Sequence, residues 1–332
     1  MASNKPTLDE LLANARVVAL PLRTKFRGLL ERELLLFEGP MGWAEWSPFV
    51  EYGDEEAALW LRAAIDFGYS ELPALHRDSI AVNAILPAVP LEQIEKVLAS
   101  FGEFGTVKIK VAEPGHTLQQ DLARVLRVHE LYPTAKVRLD ANGGYSIDEA
   151  QSLAMALVDE GVPLDYLEQP VGTIAQMAEL RLKLSRIGVK IAADESVRKV
   201  SDPLAVAQAG AADILVLKAA PLGGIRNSLA IAAEAGLPVV VSSALESSVG
   251  LSMGAHLAAA LPNLEFDCGL ATGHLLAGDV TREPLLPVAG RLPVRRVAVD
   301  PAKLDLFAAD DHRMDWWLER LSRVYGLATG PS

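Results

Sequence analysis

Five charged residues, each closing a short β-like run, recur along the middle of the chain. Lys110 ends VKIK, Asp140 ends KVRLD, Glu168 ends LDYLE, Asp194 ends KIAAD and Lys218 ends ILVLK. They stand 30, 28, 26 and 24 residues apart, close to the length of one strand, one helix and two short loops, which is the repeat of a (β/α) barrel. A parallel barrel brings the C-terminal end of every strand to one rim. Asp140, Glu168 and Asp194 therefore converge there as oxygen donors, with Lys110 and Lys218 flanking them. Three gathered carboxylates repel one another unless a cation lies between them, and a donor set without Cys or His suits a hard ion such as Mg²⁺. Any one of these acids alone is as readily a helix cap or a turn former; the recurrence at three successive strand ends singles them out.

The rest of the chain fits around this repeat. Its 332 residues, half of them apolar, suit one barrel with a smaller appended domain. Residues 81–286 supply eight strand candidates, from IAVNAIL through PVVVSSA to LEFDCGL, separated by helical stretches that mostly close on Gly or Pro. Residues 1–80 read as an α+β capping domain. In it the strands ARVVALPL and ERELLLFEG are joined by the polar link RTKFRG, and a helix follows over DEEAALWLRAAIDFG. Its stretches Leu22 to Gly28 and Gly39 to Phe49 are expected to form loops that cover the open rim. The tail, 287–332, is strand-like at GRLPVRRVAVD and helical at HRMDWWLERLSRVYG, and is expected to pack back on the cap or on the outside of the barrel. The predicted class is α/β: a modified TIM barrel with an N-terminal α+β capping domain.

Charge and composition narrow the partners. A net charge of −12 draws neither nucleic acid nor an anionic membrane. No apolar run is long enough for a transmembrane helix, and the start MASNKPTLDELL lacks the form of a signal peptide. The single cysteine, Cys268, fits a reducing compartment. A cytoplasmic protein acting on a small-molecule carboxylate is expected.

Alternation along VKIKV puts Lys108 and Lys110 on one inward face. Two ammonium groups side by side, near a divalent cation, are expected to lower a lysine pKa towards neutrality, and Lys110, nearer the rim, is the better-placed general base. When a carbon beside a carboxylate loses its proton, a metal on that carboxylate stabilises the enediolate, and Lys218 faces it from the opposite side. Arg138, on Asp140's face of its strand, and Asn142 read as supports for the ligands. Glu195, on the opposite face from Asp194, reads as structural. Ser242, Ser243 and Gly269, at the ends of the last two strands, are candidate substrate contacts or packing residues.

The series KIK, RLDAN, YLEQP, ADES and LKAAPLGG resembles the enolase superfamily, in its branch of muconate-cycloisomerase-like enzymes, over nearly the whole chain. GPMGWAEWSPF is similar to that family's first-domain loop. The resemblance implies Mg²⁺ held by Asp140, Glu168 and Asp194, with Lys110 as acid/base, Lys108 as its helper and Lys218 as the opposite-face lysine. A lysine base working with a magnesium-stabilised enediolate is the superfamily's recognised chemistry and comes with the resemblance. SSALESSVGL, CGLATGHLLAGDV and the short first domain are most similar to the o-succinylbenzoate synthases of this branch. That implies a carbon–oxygen lyase of menaquinone synthesis, a Mg²⁺-dependent syn dehydration of 2-succinyl-6-hydroxy-2,4-cyclohexadiene-1-carboxylate to 2-succinylbenzoate. Racemisation of N-succinylamino acids would use the same two lysines and is the alternative, ahead of muconate lactonisation. Dipeptide epimerases carry Asp-x-Asp at the last strand, where this chain has Glu265 and Asp267 in EFDCG, only a near match. A non-catalytic barrel binding a carboxylate through structural Mg²⁺ would have no use for lysines on opposite sides.

Overall fold

The computed structural model describes residues 5–26, 28–197 and 202–330. The first helix, α1 (Leu8–Asn14), leads into an antiparallel sheet of β1 (Arg16–Phe26), β2 (Leu29–Gly39) and β3 (Gly42–Trp46), against which α2 (Asp54–Tyr69) packs. Leu34, Leu35, Leu36 and Phe37 are all buried, so both faces of β2 are covered, which is why its sequence runs apolar instead of alternating. The arms of the hairpin are longer than the sequence suggests. β1 runs through the link RTKFRG as far as Phe26, with a shift of register between Pro21 and Phe26, where proline has no N–H to give the ladder. Its tip residue Arg27 lies outside the described residues. Leu22 bridges Leu276 and Ala277 N donates to Pro21 O at 2.7 Å, which ties the hairpin to the segment following the barrel's last position. Within the expected Gly39–Phe49 loop, Gly42–Trp46 is strand β3.

The run IAVNAIL divides into β4 (Ser79–Ala81) and β5 (Ala84–Leu86), and only β5 joins the barrel. From there strand and helix alternate: α3 (Ile94–Ala99), β6 (Thr106–Lys110), α4 (Leu118–Leu131), β7 (Lys136–Asp140), α5 (Ile147–Asp159), β8 (Leu164–Glu168), α6 (Ile174–Leu184), β9 (Ile191–Ala193), α7 (Asp202–Gln208), β10 (Ile214–Leu217), α8 (Ile225–Ala235), β11 (Val239–Val241) and α9 (Ser248–Ala260). The seven strands β5 to β11 form one parallel sheet in sequence order. Capping boxes start α4, α5 and α6, pairing Thr117 with Gln120, Ser146 with Glu149 and Thr173 with Gln176; each satisfies N–H groups that a helix start leaves open.

The eighth strand expected at LEFDCGL is reduced to Cys268 and Gly269, which bridge Val82 and Ser242 respectively. The carbonyl of Asp267 accepts from Arg138 Nη1 at 2.6 Å instead of extending a ladder. Asn83 N to Cys268 O at 3.0 Å and Gly269 N to Val241 O at 2.8 Å still close the ring. Tyr166, Ala192, Ile214, Val216, Val240 and Phe266 fill the barrel interior as an apolar plug separate from the larger core outside it.

The tail supplies β12 (Arg291–Pro293), antiparallel to β4, then α10 (Pro301–Leu306) and α11 (Asp311–Thr329). Beyond Pro293, VRRVAVD forms no regular strand, and α10 is a helix that the sequence reading did not anticipate. Helix α11 packs on α2. Its Trp317 meets Trp46 edge to face at 5.4 Å, and its Arg320 donates to the carbonyls of Phe49 and Tyr52 at 3.1 and 2.7 Å. Helix α9 is buried along its whole length, between β11 of the barrel and β3 of the cap. Among the described residues no helix is long and apolar enough to cross a membrane.

Candidate active site

Register brings the charged strand ends together. Lys110 lies opposite Asp140, and Asp140 opposite Glu168; Asp194 follows the end of β9 and Lys218 the end of β10. Lys110 Nζ donates to Asp140 Oδ2 at 2.7 Å and to Asn142 Oδ1 at 2.5 Å. Lys108 Nζ reaches Glu168 Oε1 at 2.9 Å and Asp140 Oδ2 at 3.2 Å. Lys218 Nζ holds both oxygens of Asp194, at 2.5 and 2.6 Å. Lysines 110 and 218 come from β6 and β10, four places apart in the sheet order, which in an eight-position ring is directly across. The mouth between them is lined further by Ile85, Ser242, Ser243, Leu245, Gly269 and Thr272.

Burial raises the energy of every charge here, and the lysines decide where it is tolerated. Against that burial, Lys110 and Lys108 hold Asp140 well below the usual carboxylate range, and Lys218 and Lys108 lower Asp194. Glu168 goes the other way. Burial, reinforced by Asp140 and Asp194, pushes it up to about 7 although Lys108 opposes the rise. Lys108, for which burial disfavours charge, is nonetheless raised well above the ordinary lysine range by Glu168 and Asp140. With the carboxylates so close, the lowering expected of paired ammonium groups is outweighed at Lys108.

As they stand, no three His, Cys, Asp or Glu side chains among the described residues are gathered closely enough to hold a metal ion; ammonium groups lie between the acids. The donor set nevertheless fits a hard cation. It is all oxygen, and Glu168 Oε2 is buried with no hydrogen-bond partner, a cost that a cation would remove. Asp140, Glu168 and Asp194 would hold it.

Known proteins resemble this chain over most of its length. The family model described as Enolase C-terminal domain-like matches residues 91–298, and the one described as Enolase N-terminal domain-like matches residues 17–68. A protein of Mycobacterium ulcerans (strain Agy99) named o-succinylbenzoate synthase is 51% identical over 327 residues, 98% of each chain. One of the same name from Mycobacterium leprae (strain TN) is 52% identical over 322 residues, 97% of this chain and 94% of that one. The chain belongs to the o-succinylbenzoate synthase family of the enolase superfamily. In fold it is similar to the muconate lactonizing enzyme from Pseudomonas fluorescens, with a TM-score of 0.77 at 22% identity, over 89% of this chain and 98% of that one. The 2-chloromuconate cycloisomerase from Rhodococcus opacus 1CP gives 0.74 at 24%, with the same coverage.

Other members of this synthase-family site fall differently from the sequence reading. Glu195 does not turn away: it lines the mouth, and Asn142 Nδ2 donates to its Oε1 at 3.0 Å. Strand alternation fails there because β9 stops at Ala193 and Glu195–Val197 is a 3₁₀ turn. Arg138 shares Asp140's face, but its guanidinium reaches Asp165 at 2.8 Å and Asn83 at 3.1 Å and lies 4.7 Å over the Tyr166 ring, below the acids instead of beside them. Asn142 sits in the left-handed region, at φ 46°, which aims its amide between Lys110 and Glu195. Ser242 and Ser243 both donate to Gly269 O, at 3.4 and 3.1 Å, and Ser243 pairs with Thr272 at 2.7 Å. A Cβ on Gly269 would lie 2.6 Å from Ser242 Oγ and 3.2 Å from its Cβ, so a side chain there would have to displace that of Ser242. The buried Gln169, from YLEQP, was not singled out. Its Oε1 accepts from Asp194 N and Ser196 N at 3.2 and 3.1 Å, which stitches the turn carrying Asp194 to the end of β8. Its position directly after a strand-end acid was the available signal.

Proposed function

We propose that this protein is an o-succinylbenzoate synthase, a carbon–oxygen lyase that dehydrates 2-succinyl-6-hydroxy-2,4-cyclohexadiene-1-carboxylate to 2-succinylbenzoate with Mg²⁺. Full-length identity of about half to proteins of that name supports the reading. The observation that carries it is the placing of two lysines across a mouth lined by Asp140 and Asp194, with the buried Glu168 next to Asp140. When bound, the cation supplies positive charge to the substrate carboxylate. Lys110, as the free amine, takes the proton from the carbon beside that carboxylate, and the electron pair moves into an enediolate. Lys218, across the ring, holds positive charge next to it. The pair then returns, the C–O bond breaks, and the ammonium of Lys110 gives its proton to the departing hydroxide, so that one water leaves and the ring becomes aromatic. A single lysine serving both transfers requires syn geometry. Lys108 keeps Glu168 and Asp140 neutralised beneath Lys110. Ser242, Ser243 and Gly269 shape the side of the mouth that takes the succinyl chain.

In this reading the cap, residues 1–80 with the 287–332 tail, closes over a barrel of residues 81–286 that carries the chemistry. The cap's hairpin is fastened beside the barrel mouth through Leu22 and Leu276. Loss of diene absorbance on adding protein and Mg²⁺ tests the assignment. Wild-type protein should consume the diene and Lys110→Ala should not. Racemisation of N-succinylamino acids without diene loss would move the substrate to the alternative, which uses the same opposed lysines.

A further inference from the structure

The strand end that carries Lys110 is held by buried polar groups that take no part in the chemistry above. Asp121 and Arg124 face the barrel from α4 as a buried ion pair, Nη1 to Oδ1 at 2.7 Å. Asp121 Oδ2 accepts from the backbone N–H of Ala112 at 2.8 Å and from the hydroxyl of Tyr145 at 2.5 Å. Arg124 donates to the carbonyl of Lys110 and to that of Val89, each at 3.3 Å. One helix thus grips the chain leaving three neighbouring strands: Val89 after β5, Lys110 and Ala112 at the end of β6, and Tyr145 after β7. Ala112 is in the left-handed region, at φ 57°, a conformation disfavoured in a residue with a Cβ and held here by the bond to Asp121. A buried ion pair is a weak source of stability. Its use here is to fix geometry.

We infer that Asp121, Arg124 and Tyr145 form a positioning cluster that sets the reach of Lys110 towards the proton it transfers. None of them lines the mouth, so their effect passes through the backbone at Lys110 and Ala112. Removing the Tyr145 hydroxyl takes one of the two donors from Asp121 Oδ2 and removes one of the links between the β7 loop and the β6 loop, while the ring still fills its place. A displacement of a fraction of an ångström at Lys110 lengthens the proton transfer without altering how the substrate carboxylate is held.

The inference rests on Lys110 being the proton-transferring lysine. Its test is steady-state kinetics of diene loss, at saturating Mg²⁺ and well below the melting temperature, for wild type, Tyr145→Phe, Asp121→Asn and Arg127→Ala. Arg127 pairs with Glu130 on the exposed side of the same helix at 2.5 Å and serves as the control. Tyr145→Phe should lower kcat about tenfold and Asp121→Asn up to about a hundredfold, with KM within about twofold. The isotope effect on the abstracted hydrogen should rise in both, and Arg127→Ala should match wild type. A Tyr145→Phe protein with wild-type kcat and an unchanged isotope effect overturns the inference, as does a change confined to KM. If Asp121→Asn does not fold, Tyr145→Phe decides alone. An inactive wild type would instead sink the functional reading, and this inference with it.

Discussion

Two groups of buried carboxylates lie close to the segment from Ser242 to Ser247, and they are satisfied in opposite ways. At the barrel mouth Asp140, Glu168 and Asp194 are met by lysine side chains, and Glu168 Oε2 has no partner. At the seam between cap and barrel, Glu45 of β3 accepts from Ser47 Oγ at 2.7 Å, Ser247 Oγ at 2.5 Å, Ser247 N at 3.1 Å and Gly250 N at 3.2 Å. Its neighbour Glu246 accepts from Ala244 N at 2.6 Å. The seam's donors are backbone groups and short hydroxyls fixed in place, and Glu45 serves as a cap for α9 supplied by the other layer. A Cβ at Gly250 would fall 2.5 Å from Glu246 Cβ and 2.9 Å from Glu45 Cδ, so a side chain there would crowd both acids of the seam. Acids answered by flexible ammonium groups can exchange those partners for a cation and a substrate. Acids answered by fixed N–H groups hold two layers together.

The largest effect that separates the regions is on turnover. Lys110→Ala should lower kcat about 10²- to 10⁴-fold, as expected for loss of a general acid/base, and Lys218→Ala about 10²- to 10³-fold. Each deletion also strips a buried carboxylate of its lysine partner, so thermal melts of both should fall below wild type and turnover is compared per folded molecule. A Lys110→Ala protein that retains turnover would remove the mouth's claim to the chemistry. Metal comes next. Mg²⁺ at about a hundred times its dissociation constant should stabilise wild type by roughly 3 kcal/mol, seen as a higher melting temperature that EDTA reverses. Glu168→Gln should abolish that response while Glu45→Gln keeps it; a wild type whose melt ignores Mg²⁺ would contradict the three-carboxylate site.

Seam substitutions should do the reverse. Glu45→Ala leaves buried N–H and hydroxyl groups without an acceptor and should cost about 1–3 kcal/mol of stability, read as a lower midpoint in urea. The kcat per folded molecule should stay within about twofold of wild type. A stable Glu45→Ala protein with collapsed kcat would mean that the seam belongs to the active site after all.

The contrast also explains what could be read from sequence. The mouth was legible because the barrel repeat places its charges at strand ends, where an acid or lysine after an apolar run stands out: Lys110, Asp140, Glu168, Asp194 and Lys218 all did. Legibility ended where the strands ended. Glu195 was misread because alternation was carried one residue into a 3₁₀ turn, and the eighth strand was overcounted because Arg138, distant in sequence, takes the carbonyl of Asp267. The seam was not legible at all. Glu45 lies in GPMGWAEWSPF, which reads as a loop, and its partners across the seam are 202 and 205 residues away, a pairing that no local pattern encodes. The clamp of Asp121, Arg124 and Tyr145 escaped for the same reason, since i to i+3 spacing on α4 looks like an ordinary surface ion pair until the helix is docked.

The finest distinction between the regions is in pH. Burial, with the nearby charge of Glu246, pushes Glu45 up to about 7 from an ordinary value of 4.5, against the opposing hydrogen bonds from Ser247 and Ser47. An acid whose pKa is raised by folding binds its proton more tightly in the folded state. Between about 4.5 and 7 the folded chain keeps a proton that the unfolded chain has lost, so Glu45 makes stability fall as pH rises through that window, by no more than about 1.4 kcal/mol per pH unit. Below it the contribution is fully present, and above it the loss is complete. Glu168 is raised into the same range, while Asp140 and Asp194 are lowered and act with the opposite sign at lower pH, so the slope for wild type alone mixes both regions. Glu45→Gln isolates the seam. Its urea midpoint should decline less steeply than wild type from pH 5 to 7, and the two curves should run parallel above about pH 8. Parallel curves throughout would mean that Glu45 is ionised across the whole range, with its four hydrogen bonds sufficient to hold the charge despite burial.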